Sequence, residues 1–343
     1  MTSINYETDP LFRKLVTQIL KLGKLKSKTI ETILDSEYNG FKGIQHYGFA
    51  FTHKSIDDTN NYETYEFKGD STANNCLVWY FSRRFPELNT TDNVKTLARL
   101  KINYGSKKMF YTLGEKLGMW DYITAGTETR VTKSKKKVDG RMITVENENI
   151  IDIKQTKKKS LLEDSFEAFI GVTQILLDEF VKNGTGYKIC YNIIKKLYDE
   201  LEIKLDHKSL YDPKTRLKEL FDKYSDVFGR WGKDNVKAVQ FKGRFNDFGR
   251  WKVTVGYNVQ TNSSKIDQLQ EMLELYMYDD KLKGDIVVPT HILNYVKTNF
   301  VENNKPVYRF MELGSGEASL KDDAEQMACE NALMRLERDG YNK

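Results

Sequence analysis

Two short stretches of this chain space their acids so that a helix would carry them on one side: Glu63-Thr-Tyr-Glu66-Phe-Lys-Gly-Asp70, and Leu161-Leu-Glu-Asp164-Ser-Phe-Glu167-Ala-Phe-Ile-Gly171. At about 100° per residue, Glu63, Glu66 and Asp70 fall within an arc of roughly 60°. Asp164 and Glu167 share a side in the same way. The first acidic row continues into Ala73, Leu77 and Phe81, which puts its carboxylates at the margin of packed structure. Carboxylates gathered there repel one another unless cations hold them together. Mg²⁺ suits such a cluster, because it is a hard ion that takes oxygen ligands and keeps water. Two such ions can activate a water and stabilise the leaving oxygen of a phosphodiester. The rows by themselves leave open whether the two helices meet.

The elements that would position these acids can be followed along the chain. For the second acidic helix, Ser160 followed by Glu163 fits a capping box at the start, and Asn183-Gly184 marks a stop. Leu162, Phe166, Phe169, Ile170, Leu176, Leu177 and Phe180 form an apolar face pointing away from Asp164 and Glu167. Taken alone, that is an ordinary amphipathic helix. Leu11, Leu15, Ile19 and Leu20 predict a helix from Pro10 to about Leu25, and Thr29 to Leu34 continues in the same style, so residues 1–45 read as a helical N-terminal extension. Residues 46–205 are a succession of helical patterns without strand-like alternation. A polar insertion at about 126–159 interrupts them, carrying Lys133, Lys135, Lys136, Lys137, Lys157, Lys158 and Lys159.

Asp212-Pro213 opens a new element through Leu217, Leu220 and Phe221, and begins a second domain over 210–340. Val236–Phe241, Trp251–Val259 and Val307–Met311 read as strands, and about Leu320–Leu336 as a last helix. A segment at about 263–300 interrupts that domain, and Ile266, Leu269, Met272 and Leu273 favour a helix within it.

With 343 residues, 39% hydrophobic and 30% charged, the chain has the length of two domains and the composition of a soluble globular protein. No window approaches the roughly 20 apolar residues that cross a bilayer, and Met1 to Pro10 is polar, so neither a membrane nor a secreted protein is expected. Cys76, Cys190 and Cys329 are far apart and lack metal-ligand spacing, which suits packing residues in a reducing, intracellular compartment such as the cytoplasm. The net charge is only +5, so any case for a polyanionic partner rests on how charge is distributed. Gly314-Ser-Gly316 lacks the lysine of a phosphate loop, and His46, His53, His207 and His291 are too scattered for zinc.

The stretch Glu63 to Ser71 resembles the signature of the ribonuclease III family. Thr52-His53-Lys54-Ser55 before it, Arg83-Arg84-Phe85-Pro86 after it, and Glu163 to Gly171 are similar to further family segments in the same order. The resemblance implies an all-α ribonuclease III endonuclease domain followed by a C-terminal α+β (α-β-β-β-α) double-stranded-RNA-binding-like domain with an insertion. It implies Glu66, Asp70, Asp164 and Glu167 as catalytic metal ligands, with Glu63 near the RNA or at a dimer interface. Mg²⁺, with Mn²⁺ as a substitute, would be the cofactor, and the expected form is a homodimer that cuts double-stranded RNA and leaves short 3′ overhangs. The family's further acid falls near Asn89 to Thr91, where this chain has Glu87 and Asp92 out of register.

In the second domain, Asp212 to Glu219 and Lys321 to Ala328 resemble the opening and final helices of double-stranded-RNA-binding domains. Thr215, Glu219 and Lys321 are the implied RNA contacts, with Lys157, Lys158 and Lys159 as further phosphate contacts from the first domain. Lys321 is followed by Asp322 and Asp323 where the family has a second lysine, and acids there oppose phosphate. The alternative is a non-catalytic relative serving as a structural or RNA-binding subunit of a ribonucleoprotein. Its signature would be loss of the four acids, all of which are present.

Overall fold

The computed structural model describes residues 4–138, 141–225, 239–246, 248–260 and 308–341. The expected helical segment at 263–300 lies outside the described residues, as do positions 236–238 and 307 of two expected strands. The chain divides into two compact units, Met1–Lys204 and Leu205–Lys343.

The first unit is built on helices α1 (Pro10–Leu22), α2 (Ser27–Asp35), α3 (Gly43–Phe49), α4 (Glu63–Arg84), α5 (Val94–Tyr104), α6 (Lys107–Lys116), α7 (Ile153–Thr156), α8 (Lys158–Phe180) and α9 (Thr185–Asp199). A two-residue strand pair, β1 (Glu37–Tyr38) and β2 (Phe41–Lys42), joins α2 to α3. The start of α1 is set chemically: the Asp9 carboxylate accepts from the backbone N–H of Leu11 and Phe12, and Pro10 occupies the first turn. Its apolar side, Phe12, Leu15, Val16, Ile19 and Leu20, is buried. Phe12 meets Phe51 edge-on at 5.2 Å, so this N-terminal helix is part of the same core as the acidic segments.

Helix α8 departs from the amphipathic helix expected of it. Between Leu161 and Thr173 every residue except Asp164 is buried, Glu163 and Glu167 included. It is the central helix of the unit, packed by α4, α6 and α9, and a helix buried all round has no solvent face on which to leave acids. The expected capping box does not form. The helix begins at Lys158, so Ser160 already lies inside it, and the Glu163 carboxylate pairs with Lys107 instead. The helix ends at Phe180, and Gly184, in the left-handed region, starts α9.

The lysine-rich insertion is a second correction. It is an antiparallel ribbon of β3 (Thr127–Val138) and β4 (Arg141–Asp152), in register from Thr127↔Asp152 to Val138↔Arg141. Asp139-Gly140 falls between the strands, a dipeptide suited to two-residue hairpin connections, and Thr129, Val131, Ile143, Val145 and Ile150 supply β-branched positions. The lysines obscure this pattern because they fill consecutive as well as alternate positions.

The second unit contains α10 (His207–Leu210), α11 (Pro213–Lys223), β5 (Val239–Phe245), β6 (Trp251–Gln260), β7 (Tyr308–Ala318) and α12 (Lys321–Arg338). The three strands form an antiparallel sheet in the order β5-β6-β7. Leu217, Leu220 and Phe221 of α11 share one core with Val253, Val255, Met311, Leu313 and the α12 residues Ala324, Ala328, Cys329, Ala332 and Leu336. A Cβ on Gly314 would lie 2.4 Å from the Ala328 carbonyl oxygen, so that glycine serves the close seating of α12 on the sheet. All three cysteines are buried and unpaired with one another. No helix among the described residues is long and apolar enough to cross a membrane.

Candidate metal centre

The acids are brought together by a backbone-to-backbone crossing of α4 and α8. A Cβ placed on Gly69 would lie 1.7 Å from the Glu167 carbonyl oxygen, and one on Gly171 would lie 2.2 Å from that of Tyr65. Neither distance is sterically possible, so the helices approach this closely only because both positions are glycine. Gly69 sits between Glu66 and Asp70, and Gly171 is one turn beyond Glu167. The motifs therefore carry their acids and their crossing point together. One carboxylate oxygen each from Glu66, Asp164 and Glu167 lies within 4.8 Å of the others. Asp70 stands beside this trio, close enough to Glu167 to act on it by charge and by a hydrogen bond.

Burial and mutual repulsion set the electrostatics. The Glu167 carboxyl is pushed up to about 9, chiefly by desolvation and then by the charges of Asp70, Glu163 and Glu66. Glu66 is raised by desolvation and by Asp164, Glu63 and Asp70. Asp164 is raised by burial, although the Tyr62 hydroxyl, which donates to its Oδ2 at 3.0 Å, works in the other direction. Glu163 is raised by burial and eased by Lys107, whose Nζ is 3.1 Å from it. An all-oxygen donor set that is partly desolvated and short of positive charge fits a hard divalent cation, whose binding relieves the repulsion.

The remaining expected residues are placed as follows. Glu63, at the start of α4, is exposed and pairs with Lys54 at 2.9 Å. Lys157 pairs with Glu128 and Lys158 with Glu115, both at 2.7 Å, while Lys159 is exposed. In the second unit Thr215 Oγ1 donates to Asp212, Glu219 lies 3.0 Å from His207 Nε2, and Lys321 is 3.7 Å from Glu325. Five participants were not singled out from the sequence. Tyr62 lies four residues before Glu66 and so follows the same helical row. Asn74, four residues after Asp70, donates to its Oδ1 at 2.6 Å and is found by the same arithmetic. Gly69 and Gly171 lie inside the motifs, but their role needs the partner helix. Lys107 comes from α6 and has no signal in the sequence. His46 is buried between Tyr65 and the Tyr38 carbonyl, and His53 folds onto Ser55.

Comparison with known proteins covers both acidic segments. The Ribonuclease III domain family matches residues 63–177. A Frog virus 3 (isolate Goorha) protein carrying the ribonuclease 3 name is 38% identical over 181 residues, which is 52% of this chain and 43% of that protein. An Invertebrate iridescent virus 6 protein of the same name is 33% identical over 230 residues, 64% of this chain and 68% of that one. The chain thus spans under half the length of the first relative and about two thirds of the second. A solved nuclease domain of ribonuclease III from Campylobacter jejuni is 18% identical, with coverage of 54% of this chain and 98% of its own and a TM-score of 0.35.

Proposed function

The chain belongs to the ribonuclease III family, and from that premise we propose that it is an endoribonuclease that hydrolyses double-stranded RNA with bound divalent cations. The observation that carries this reading is the convergence of Glu66, Asp164 and Glu167 within 4.8 Å, with Asp70 alongside. These four residues would hold Mg²⁺, with Mn²⁺ as a substitute. When bound, the cation supplies an activated water and charge stabilisation for phosphodiester hydrolysis. The chain's own residues orient the donors: Tyr62 fixes one Asp164 oxygen, Asn74 fixes one Asp70 oxygen, and Lys107 neutralises Glu163 at the edge of the cluster. Held on two helices that cannot slide past their glycine contacts, the carboxylates are preorganised.

Pairing of two chains through this unit is supported by Phe67. It lies inside the first acidic motif yet is 75% exposed, and it borders a groove of about 420 Å³ that Ser71, Thr72, Gly171, Gln174 and Ile175 help to line. A large exposed apolar ring beside a groove suits a homodimer, in which two acid clusters face the two strands of a duplex and staggered cuts leave short 3′ overhangs. The helix–sheet–helix order of the second unit supports a role in holding duplex RNA by its shape.

The test is cleavage of long duplex RNA in Mg²⁺ by the wild type and by Glu167→Ala. The variant is expected to lose cleavage by on the order of 10³-fold while keeping its helical circular dichroism. Undiminished cutting by the variant overturns the assignment of the acids. No cutting by the wild type over a range of salt and metal favours a non-catalytic subunit.

A further inference from the structure

A recess at the other end of α4 belongs to none of the machinery above. It lies between the last turns of α4 and α9 and the turn that follows α1, and has a volume of about 840 Å³. At 1.5 Å per residue, Arg83 in its wall is about 25 Å along α4 from Glu66. Its charge is the reverse of that at the metal centre: Lys24, Arg83, Arg84, Lys195 and Lys196 line it, against the single acid Asp199. Cations in the last turn of a helix are favoured by the helix dipole alone, so their presence there is informative only where the fold makes no other use of them.

Three of the five are in use. Arg84 donates to the Tyr198 carbonyl at 2.9 Å, to the Leu201 carbonyl at 3.2 Å and to the Tyr80 hydroxyl, closing the C-terminal end of α9. Lys195 pairs with Asp199 at 2.5 Å and Lys196 with Glu200 at 3.1 Å. Among the described residues neither Arg83 nor Lys24 has a carboxylate partner, yet both are held in place. The Arg83 guanidinium carbon lies 5.3 Å from the centre of the Trp79 ring and 4.8 Å from that of Tyr191. Rings engage the face of a guanidinium and leave its in-plane N–H groups and its full charge for a ligand. Lys24 has a φ of 65°, a left-handed conformation that glycine adopts more readily. The turn is seated on α9: Asn192 Nδ2 donates to the Gly23 carbonyl at 3.2 Å, and a Cβ on Gly23 would lie 2.6 Å from the Ile189 side chain. The glycine is taken by that close approach, and the left-handed position falls to Lys24.

We propose that this recess binds a nucleoside polyphosphate, with Arg83 and Lys24 on the phosphate chain and the ring system against Leu22 and Tyr191. The site is separate from the acids and stands whether or not they cut RNA. Two cations that the fold leaves uncompensated suit a ligand with more than one anionic group, and the arginine fork matches phosphate oxygens in pairs. A volume of about 840 Å³ falls within the range of small-molecule sites and exceeds what a lone phosphate or carboxylate fills. Apolar and aromatic walls beside a few convergent polar groups are the general make-up of such sites. A duplex presents its phosphates along a convex backbone that rows of surface cations meet, whereas a recess walled by Leu22 and Tyr191 admits a single nucleotide.

The experiment titrates the full chain in EDTA with ATP, with inorganic tripolyphosphate and with an RNA duplex of about 30 base pairs, and repeats each titration on Arg83→Gln and Lys24→Gln. ATP is expected to bind with a Kd on the order of 100 μM or below. Arg83→Gln should weaken it by about 10-fold or more and Lys24→Gln by about 5-fold. Tripolyphosphate should bind at least about 5-fold more weakly than ATP, since it gains nothing from the apolar wall. Glu167→Ala should bind ATP as the wild type does, and no cleavage enters these measurements, so the endonuclease reading can fail without altering them. Arg83 and Lys24 are exposed, so both variants should keep the unfolding temperature of the wild type. Absence of saturable ATP binding up to about 1 mM overturns the proposal, as does equal ATP affinity in the wild type and both variants. Tripolyphosphate binding as tightly as ATP overturns the nucleoside assignment. Duplex affinity that falls in Arg83→Gln, with ATP unable to compete, gives the recess to RNA and overturns the proposal as well.

Discussion

Acidic side chains lie within packed structure in both units, but they are compensated differently. In the C-terminal unit, Glu330 takes the guanidinium of the buried Arg216 and also Lys208, Glu325 takes Lys214 at 2.5 Å, and Glu219 faces His207. In the helical unit, Glu66, Asp164 and Glu167 face one another, and the neighbouring Lys107 is hydrogen-bonded to Glu163. The first arrangement is complete as it stands. The second leaves negative charge desolvated without a matching cation, a cost that a fold retains where something else is to be bound. The glycine crossing holds the acids in that position against their repulsion.

The comparison is broken most severely at the crossing. Gly69→Ala places a methyl on the Glu167 carbonyl, and separating the helices is expected to cost about 3 kcal/mol or more, measured as a lower denaturant midpoint with metal affinity falling in parallel. Next, Glu330→Ala leaves Arg216, 8% exposed, without its carboxylate; a loss of about 2 to 3 kcal/mol is expected from thermal unfolding, because one half of a buried pair remains uncompensated. An acid in the metal centre should respond in the opposite sense. Glu167→Gln is expected to raise the stability of the ion-free protein at neutral pH by about 1 to 3 kcal/mol while removing activity.

The pH dependence sharpens the same contrast. Glu167, Glu66 and Asp164 bind protons more tightly folded than unfolded, so their contribution is favourable below the ordinary carboxylate range. It is lost as pH rises from there toward about 9 for Glu167. Ion-free protein should therefore lose stability across that window, saturating Mg²⁺ should flatten the loss, and Glu167→Gln should shrink it in unfolding curves taken with and without metal. The smallest effect belongs to Lys54→Ala, which breaks an exposed pair with Glu63 and should change stability by under about 0.5 kcal/mol.

Much of the site was legible as arithmetic. The row from Glu63 through Asp70 into Ala73, Leu77 and Phe81 follows from helical period alone, and Ala73, Leu77 and Phe81 are fully buried where that row placed them. The Asp212-Pro213 start of α11 is equally local, with Asp212 accepting from the Thr215 N–H. The second acidic helix was misread because amphipathicity assumes one neighbour, whereas α8 has several. The ribbon was missed because its lysines hid a β-branched pattern around Asp139-Gly140.

The sequence by itself determined which residues lie on one side of each acidic helix, where α11 and α12 begin, and that glycines stand inside both acidic motifs, because these are properties of neighbours within a few residues. Only the tertiary structure decided that Gly69 and Gly171 are the contact on which α4 and α8 cross. It likewise decided that Glu163 goes to Lys107 while Glu167 joins Glu66 and Asp164, and that a lysine-rich insertion stands as a paired ribbon. The physical reason is that desolvation and repulsion between carboxylates depend on distances across the chain, and a linear pattern does not contain those distances until the helices are packed.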